Sequence, residues 1–193
     1  MRTLLVVSVL GLSLSPLFGA DEPLGSASRR HPEAPAEVAQ LEFLLGSWKL
    51  YTTFANADGT VRHTEAELEG SYILSGFGIQ TVEVHTPDRT AFPEADSTFV
   101  VTTIFNYDEE NAKWSGASVN SLGNRKFVDG TFEDGKLVLI QSGKLFRGRQ
   151  GQNRLTFFNI TRDRFELQLD GYDEKTDTWD EGSYGYVATR IAP

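Results

Sequence analysis

Gln80, Glu83, Ser118, Asn120, Asn159, Gln168 and Arg190 are polar residues on stretches that otherwise read as β-strands. Strand residues alternate between two faces, so strand geometry can aim each of these side chains at an enclosed space. A polar group turned inward needs a partner from ligand, water or a neighbour. Glu83 is the candidate catalytic residue, because a buried carboxylate of raised pKa beside a cavity works as a general base. Gln80, Ser118, Asn120 and Gln168 are the candidate ligand contacts, with Phe99 as an apolar wall. Asn120 with Ser118 is preferred, since Gly116 and Ala117 on the same strand leave volume. The bland alternative is that these small residues face outward, or make room for Phe99 and Phe105 next door.

Other chemistries are thinly supplied. With no cysteine, a thiol nucleophile is impossible. Gly182-Ser-Tyr-Gly185 has the wrong spacing for a nucleophile elbow. Of three histidines, His31 lies in a linker, and His63 and His85 lie on neighbouring predicted strands. Those two could approach a metal, or one could ligate haem alone, but no third ligand and no His-Glu-x-x-His spacing accompanies them. They read as edge or exposed histidines, so neither metal nor cofactor is expected. The acidic run Asp170, Asp173, Glu174, Asp177, Asp180 and Glu181 lacks the calcium-loop order of ligands and reads as a solvated hairpin tip. Gly143 to Gly151 lacks the Lys-Ser/Thr ending and the helix of a phosphate loop.

The surroundings of these residues set further limits. Net charge is −9, and losing Arg2 with a leader takes the remainder to about −10, which argues against nucleic acid and anionic membrane surfaces. The basic group Arg147, Arg149 and Arg154 reads as a loop. Residues 1–20 read as a signal peptide: Arg2, an apolar stretch Leu4 to Leu14 too short to span a bilayer, then Ser15-Pro16. Ala20 is the first choice for cleavage and Ala27 the second. An exported chain without cysteine must be stabilised by its core, and the remaining ~170 residues are enough to form one. No membrane insertion is expected once the leader is gone, and oligomeric state stays open.

Residues 21–36 are Pro-, Ala- and Ser-rich and read as a disordered linker. Pro35 to Leu45 brings Val38, Leu41, Leu44 and Leu45 to one side, ending at Gly46, which predicts a short helix capping a barrel end. From Ser47 strand signals recur every 8 to 15 residues, with Gly70, Gly76 and Gly78 as bends. About ten strands are expected. No helical pattern separates them, so they must pair antiparallel and close into a barrel or stack as a sandwich. Thr86 to Asp96, with two prolines, is the longest loop and the natural lid. Tyr107-Asp-Glu109 with Trp114, and Tyr172-Asp-Glu174 with Trp179, are two aromatic hairpins, read as one favoured turn used twice rather than repeated binding loops.

Residues 40–55 (QLEFLLGSWKLYTTFA), the two hairpins and the terminal YGYVATRIA resemble an exported bacterial lipocalin-like family of the calycin superfamily, labelled domain of unknown function 1579. The resemblance implies an all-β, up-and-down barrel spanning residues 37–193. It also implies that Trp48 of the Gly-x-Trp motif closes the floor beneath Arg190 of the last strand. The chain departs from true lipocalins in having no disulfide, and Asn106-Tyr107-Asp108 only loosely echoes their Thr-Asp-Tyr loop. The function expected is an exported, periplasmic or secreted barrel binding a small, largely apolar molecule. A filled barrel acting as an interaction module is the alternative. A barrel isomerase or hydrolase using a buried carboxylate is the second, and enzyme activity is the less favoured reading.

Overall fold

The computed structural model describes residues 26–55, 60–86, 98–144 and 150–192. The expected leader, and residues 87–96 of the expected lid, lie outside the described residues. A short strand β1 (Ser26–Ala27) precedes β2 (Gly46–Ala55), β3 (Val61–Ile73), β4 (Gly78–His85), β5 (Phe99–Asp108) and β6 (Lys113–Asn120). Then come β7 (Arg125–Glu133), β8 (Lys136–Lys144), β9 (Gln150–Phe158), β10 (Arg164–Asp173) and β11 (Thr178–Arg190). Strands β2 to β11 pair antiparallel in the order β3-β2-β11-β10-β9-β8-β7-β6-β5-β4, and β3 pairs back onto β4. That last pairing closes the sheet into a ten-stranded barrel and leaves no free edge along it. Within the segment read as a linker, Ser26–Ala27 pairs with the end of β3 at Ile73 and Tyr72.

The helix is a 3-10 helix, Ala36–Leu44, and its buried residues are Val38, Leu41 and Leu44. Their spacing of three suits a helix with three residues per turn, where i and i+3 eclipse and all three point the same way. Burying such side chains stabilises by about 1.5–3 kcal/mol each, enough to hold a geometry that rarely runs so long. Three polar contacts fix the helix to the barrel end. Trp48 Nε1 donates to the Leu44 carbonyl at 3.2 Å, Trp114 Nε1 to Gln40 Oε1 at 3.2 Å, and Tyr72 Oη to Glu42 Oε1 at 2.6 Å.

Gly70 is not the bend expected of it. Strand β3 runs through it without a break, and its glycine is required by approach. A Cβ there would sit 1.8 Å from the Leu44 carbonyl oxygen, inside any permissible contact. Gly70→Ala must push the helix off the floor and is expected to lower stability by about 1–3 kcal/mol. Chemical denaturation measures this, and an unchanged midpoint would show that the helix does not seat there.

Candidate functional site

Pairing registers divide the interior into two halves. Toward the 3-10 helix, every strand sends apolar side chains inward: Trp48, Leu50, Leu68, Ile79, Phe105, Trp114, Val128, Leu139, Phe157, Phe165 and Ala188 are all nearly or wholly buried. Phe165 packs edge-on against Trp48 at 4.8 Å and Phe43 at 5.2 Å between ring centres. This half is a solid core. The Arg190 guanidinium lies 4.0 Å from the Trp48 ring centre, and its Nη1 donates to the Leu45 carbonyl at 2.8 Å. Arg190 and Trp48 are directly paired across the seam of β11 and β2, so the cation–π contact seals the first strand to the last.

The other half has the opposite character. One inward rung runs Thr81–Thr103–Ser118–Lys126 across β4, β5, β6 and β7. Thr81, Thr103 and Ser118 are buried, and Thr103 Oγ1 donates to Ser118 Oγ at 3.1 Å. Lys126 Nζ donates to the buried Gln141 Oε1 at 3.1 Å. Nearer the mouth, Glu83 and His85 follow Thr81 on the inward face of β4, with Glu83 Oε2 3.3 Å from His85 Nε2. Their side chains keep only 19% and 14% exposure. The His85 ring lies 5.5 Å from that of Phe99.

On this wall several apolar residues point away from the interior. Val119 is 48% exposed and Phe127 68% exposed, while their neighbours Ser118 and Lys126 face inward. Ile104 is exposed beside the buried Thr103. An antiparallel sheet normally turns its apolar face to the core, so β4, β6 and β7 reverse the rule over one end of the barrel, while β5 also turns Phe99 and Val101 inward.

From β11, Tyr184 and Tyr186 enter the same half. Burial is the main cause that pushes both phenols well above the ordinary tyrosine range, and the Glu83 charge adds to it. Burial also lowers the Lys126 ammonium, an effect that Glu83 partly opposes. Groups on β4, β7 and β11 therefore share one field near the barrel axis. The Tyr186 hydroxyl is buried and has no hydrogen-bond partner, and among the described residues no other buried side-chain polar atom is so left. An orphaned buried group costs about 1–3 kcal/mol. Tyr186→Phe is accordingly expected to leave the melting temperature of ligand-free protein unchanged or raised, and a clear drop would reveal a partner for the hydroxyl.

The sequence candidates scatter. Glu83, Ser118 and Phe99 line the mouth half. Gln80 faces outside, paired with Ile104 and Ser71, because it lies three positions from Glu83 and a strand has period two. Gln168 alternates with the inward Leu167 and Leu169 and also faces out, where its Nε2 donates to Asp170 Oδ1 at 2.8 Å. Asn120 is engaged in the β6–β7 turn, its Oδ1 accepting from the backbone N–H of Leu122 and Asn124 at 3.1 Å each. Asn159 is exposed at the end of β9 and donates to Glu166. His63 lies on the outer face beside Thr53, so it cannot meet His85. His31 stacks on Phe77. Among the described residues no group of three or more His, Asp or Glu is placed to hold a metal.

The aromatic hairpins share a turn and differ in role. Tyr107 and Trp114 meet edge-on at 5.4 Å at the helix end, with Trp114 buried. Tyr172 and Trp179 meet at 5.2 Å at the mouth end, where Arg154 lies 4.8 Å over the Trp179 ring. A shallow depression of about 500 Å³ lined by Lys136, Asn159, Arg164 and Glu166 opens on the outside of the helix end, remote from the polar interior.

No family model matches the chain, and no curated protein matches it. Among solved structures it is similar to the S-type phycobiliprotein lyase CPES from Guillardia theta, at 13% identity and a TM-score of 0.51. That match covers 79% of this chain and 90% of the lyase. The closed meander is a lipocalin-like barrel, and the likeness is one of fold.

Proposed function

We propose that this is an exported barrel protein that binds a small, largely apolar molecule in the mouth half of its interior. A polar end of the molecule would meet the Thr81–Thr103–Ser118–Lys126 rung. The carrying observation is the reversed polarity of β4, β6 and β7: turning Glu83, His85 and Lys126 inward, half-buried, while exposing Val119 and Phe127 costs stability, and such a violation of local rules marks a functional site. The aromatic rings of Phe99 and Tyr184 provide apolar surface around the polar groups. Support also comes from the fold likeness to a protein named as a phycobiliprotein lyase, and from the sequence likeness of residues 40–55, the two aromatic hairpins and the terminal strand to an exported lipocalin-like family.

Native mass spectrometry of protein purified without denaturation tests the reading. A bound molecule of constant mass, lost when the protein is unfolded, is the expected result. The ring-filled helix end favours a second reading, an interaction module with a closed interior. That reading requires bare protein mass in every preparation.

A further inference from the structure

We infer that the outer wall of β4 to β7 is the interface of a two-fold dimer, with a second copy of this chain as its occupant. This face lies outside the barrel, and its role is independent of what the interior holds. A closed barrel offers no free strand edge, so a partner must dock on a face, where side chains decide. Elsewhere the outer face carries charge: Lys49 on β2, Glu65, Glu67 and Glu69 on β3, Arg164 and Glu166 on β10. On this wall Val82, Val84, Val100, Ile104, Val119 and Phe127 face out together instead. Loss of charge around exposed aliphatic and aromatic residues is the compositional mark of an interface core.

Area and charge both favour a second copy. Taking roughly 180 Å² for a whole phenylalanine, Phe127 at 68% exposure leaves about 120 Å² in water. The wall together exposes apolar surface on the order of 400 Å², large for one patch. A standard interface takes about 800 Å² from each partner, of which about 450 Å² is apolar, so the wall is the right size for an interface core. Register makes it self-complementary. Glu69, Val82, Thr102, Val119 and Arg125 lie on one line of paired residues from β3 to β7. A two-fold axis running along β5 at Thr102 maps that line onto itself. Glu69 then faces Arg125 of the partner subunit, and Val82 faces the partner's Val119. On the neighbouring line, Ile104 meets its own copy and Phe127 covers the partner's Ser71. Glu69 and Arg125 are both exposed, and Ser47 Oγ holds the Glu69 carboxylate on this face at 2.7 Å. Each rim pair forms twice in an isologous dimer, which offsets the repulsion between two chains of net charge −9.

Sedimentation velocity of the intact protein, from about 1 to 100 µM, tests the inference. Wild-type protein should move from monomer to dimer across that range. Phe127→Glu should stay monomeric with the circular dichroism spectrum of the wild type, because its side chain lies largely outside the core. Arg125→Glu and Glu69→Arg should each weaken self-association about tenfold, since each sets like charges together twice. Mixed in equal amounts, those two variants should pair with one another as tightly as wild type pairs with itself, because both rims then carry opposite charges. Wild-type protein that is monomeric at every concentration would overturn the inference and leave the wall to a different protein or a lipid surface. A dimer that survives Phe127→Glu would place the contact elsewhere and overturn it too. No recovery in the mixture would overturn the two-fold arrangement along β5.

Discussion

Asp170→Ala is expected to lower stability by about 3 kcal/mol, the low end for breaking a buried ion pair. Asp170 is 1% exposed although it sits on the outer face, paired with Arg154 of β9. Strand β11 bulges around it between Ser183 and Asp180, and Gly182 at φ 69° turns its N–H onto Asp170 Oδ1 at 2.9 Å. Gln168 Nε2 donates to the same oxygen at 2.8 Å, while Arg154 Nε and Nη2 donate to Oδ2 at 2.9 and 2.8 Å. The carboxylate thus satisfies four donors and pins a strand bulge, a neighbouring strand and the β10–β11 hairpin. The loss stays at the low end because Arg154 keeps 30% exposure and has Glu181 at 3.9 Å. In a chain of this size that loss corresponds to a fall in melting temperature of about 6–12 °C.

The same residue sets a pH signature. Burial pushes its carboxyl upward, but the Gly182 N–H, Gln168 and Arg154 outweigh it and hold it below the ordinary range. A depressed folded-state pKa gives stability that is complete above the unfolded value, about 3.9 for aspartate. That stability is lost as pH falls through the folded value. Wild-type stability should therefore lose an Asp170 contribution only below about pH 4, and Asp170→Asn should flatten that acid limb. An acid limb identical in both proteins would show that the carboxylate is not held as described.

Trp48→Ala is expected to cost about 3–5 kcal/mol, the range for deleting a buried large aromatic. The indole is fully buried and joins three things at once: the helix through Leu44, the core through Phe165, and the barrel seam through Arg190. Arg190→Met keeps the aliphatic stem but removes the donor to Leu45 and the donor from Nε to the Arg162 carbonyl at 2.8 Å, for an expected loss of about 2 kcal/mol. The double variant should lose less than the sum, by about 1 kcal/mol, because the cation–π contact is shared. Strict additivity in urea denaturation would mean that the two side chains are not coupled.

Much of the fold was legible because it follows from period and punctuation. The alternation through Trp48, Leu50 and Thr52 marks a half-buried strand, and the absence of helical patterns after Ser47 leaves only antiparallel pairing. Gly70 was misread because a glycine needed for close approach looks identical, in one dimension, to a glycine needed for a bend. The spacing of Val38, Leu41 and Leu44 carried the 3-10 geometry in its strict threes.

The site was legible only in part. Glu83 and Ser118 have the right parity on their strands. Gln80 could never share a face with Glu83, and the pattern Phe165-x-Leu167-x-Leu169 already turned Gln168 outward. Lys126, Gln141, Tyr184 and Tyr186 were missed for a different reason. Hydrophobicity assigns Phe127 to the inside and Lys126 to the outside, and the fold does the reverse. Only the register across strands reveals that inversion, since each strand alone is ambiguous about which face is inner.

A crystal structure of the protein as isolated, without refolding, tests the central claim most directly. A ligand-binding interior requires non-protein density in the mouth half, with an acceptor atom within hydrogen-bond distance of Tyr186 Oη. An interior in which side chains meet across the axis, with Tyr186 Oη bonded to protein and no space beside Lys126, would contradict it.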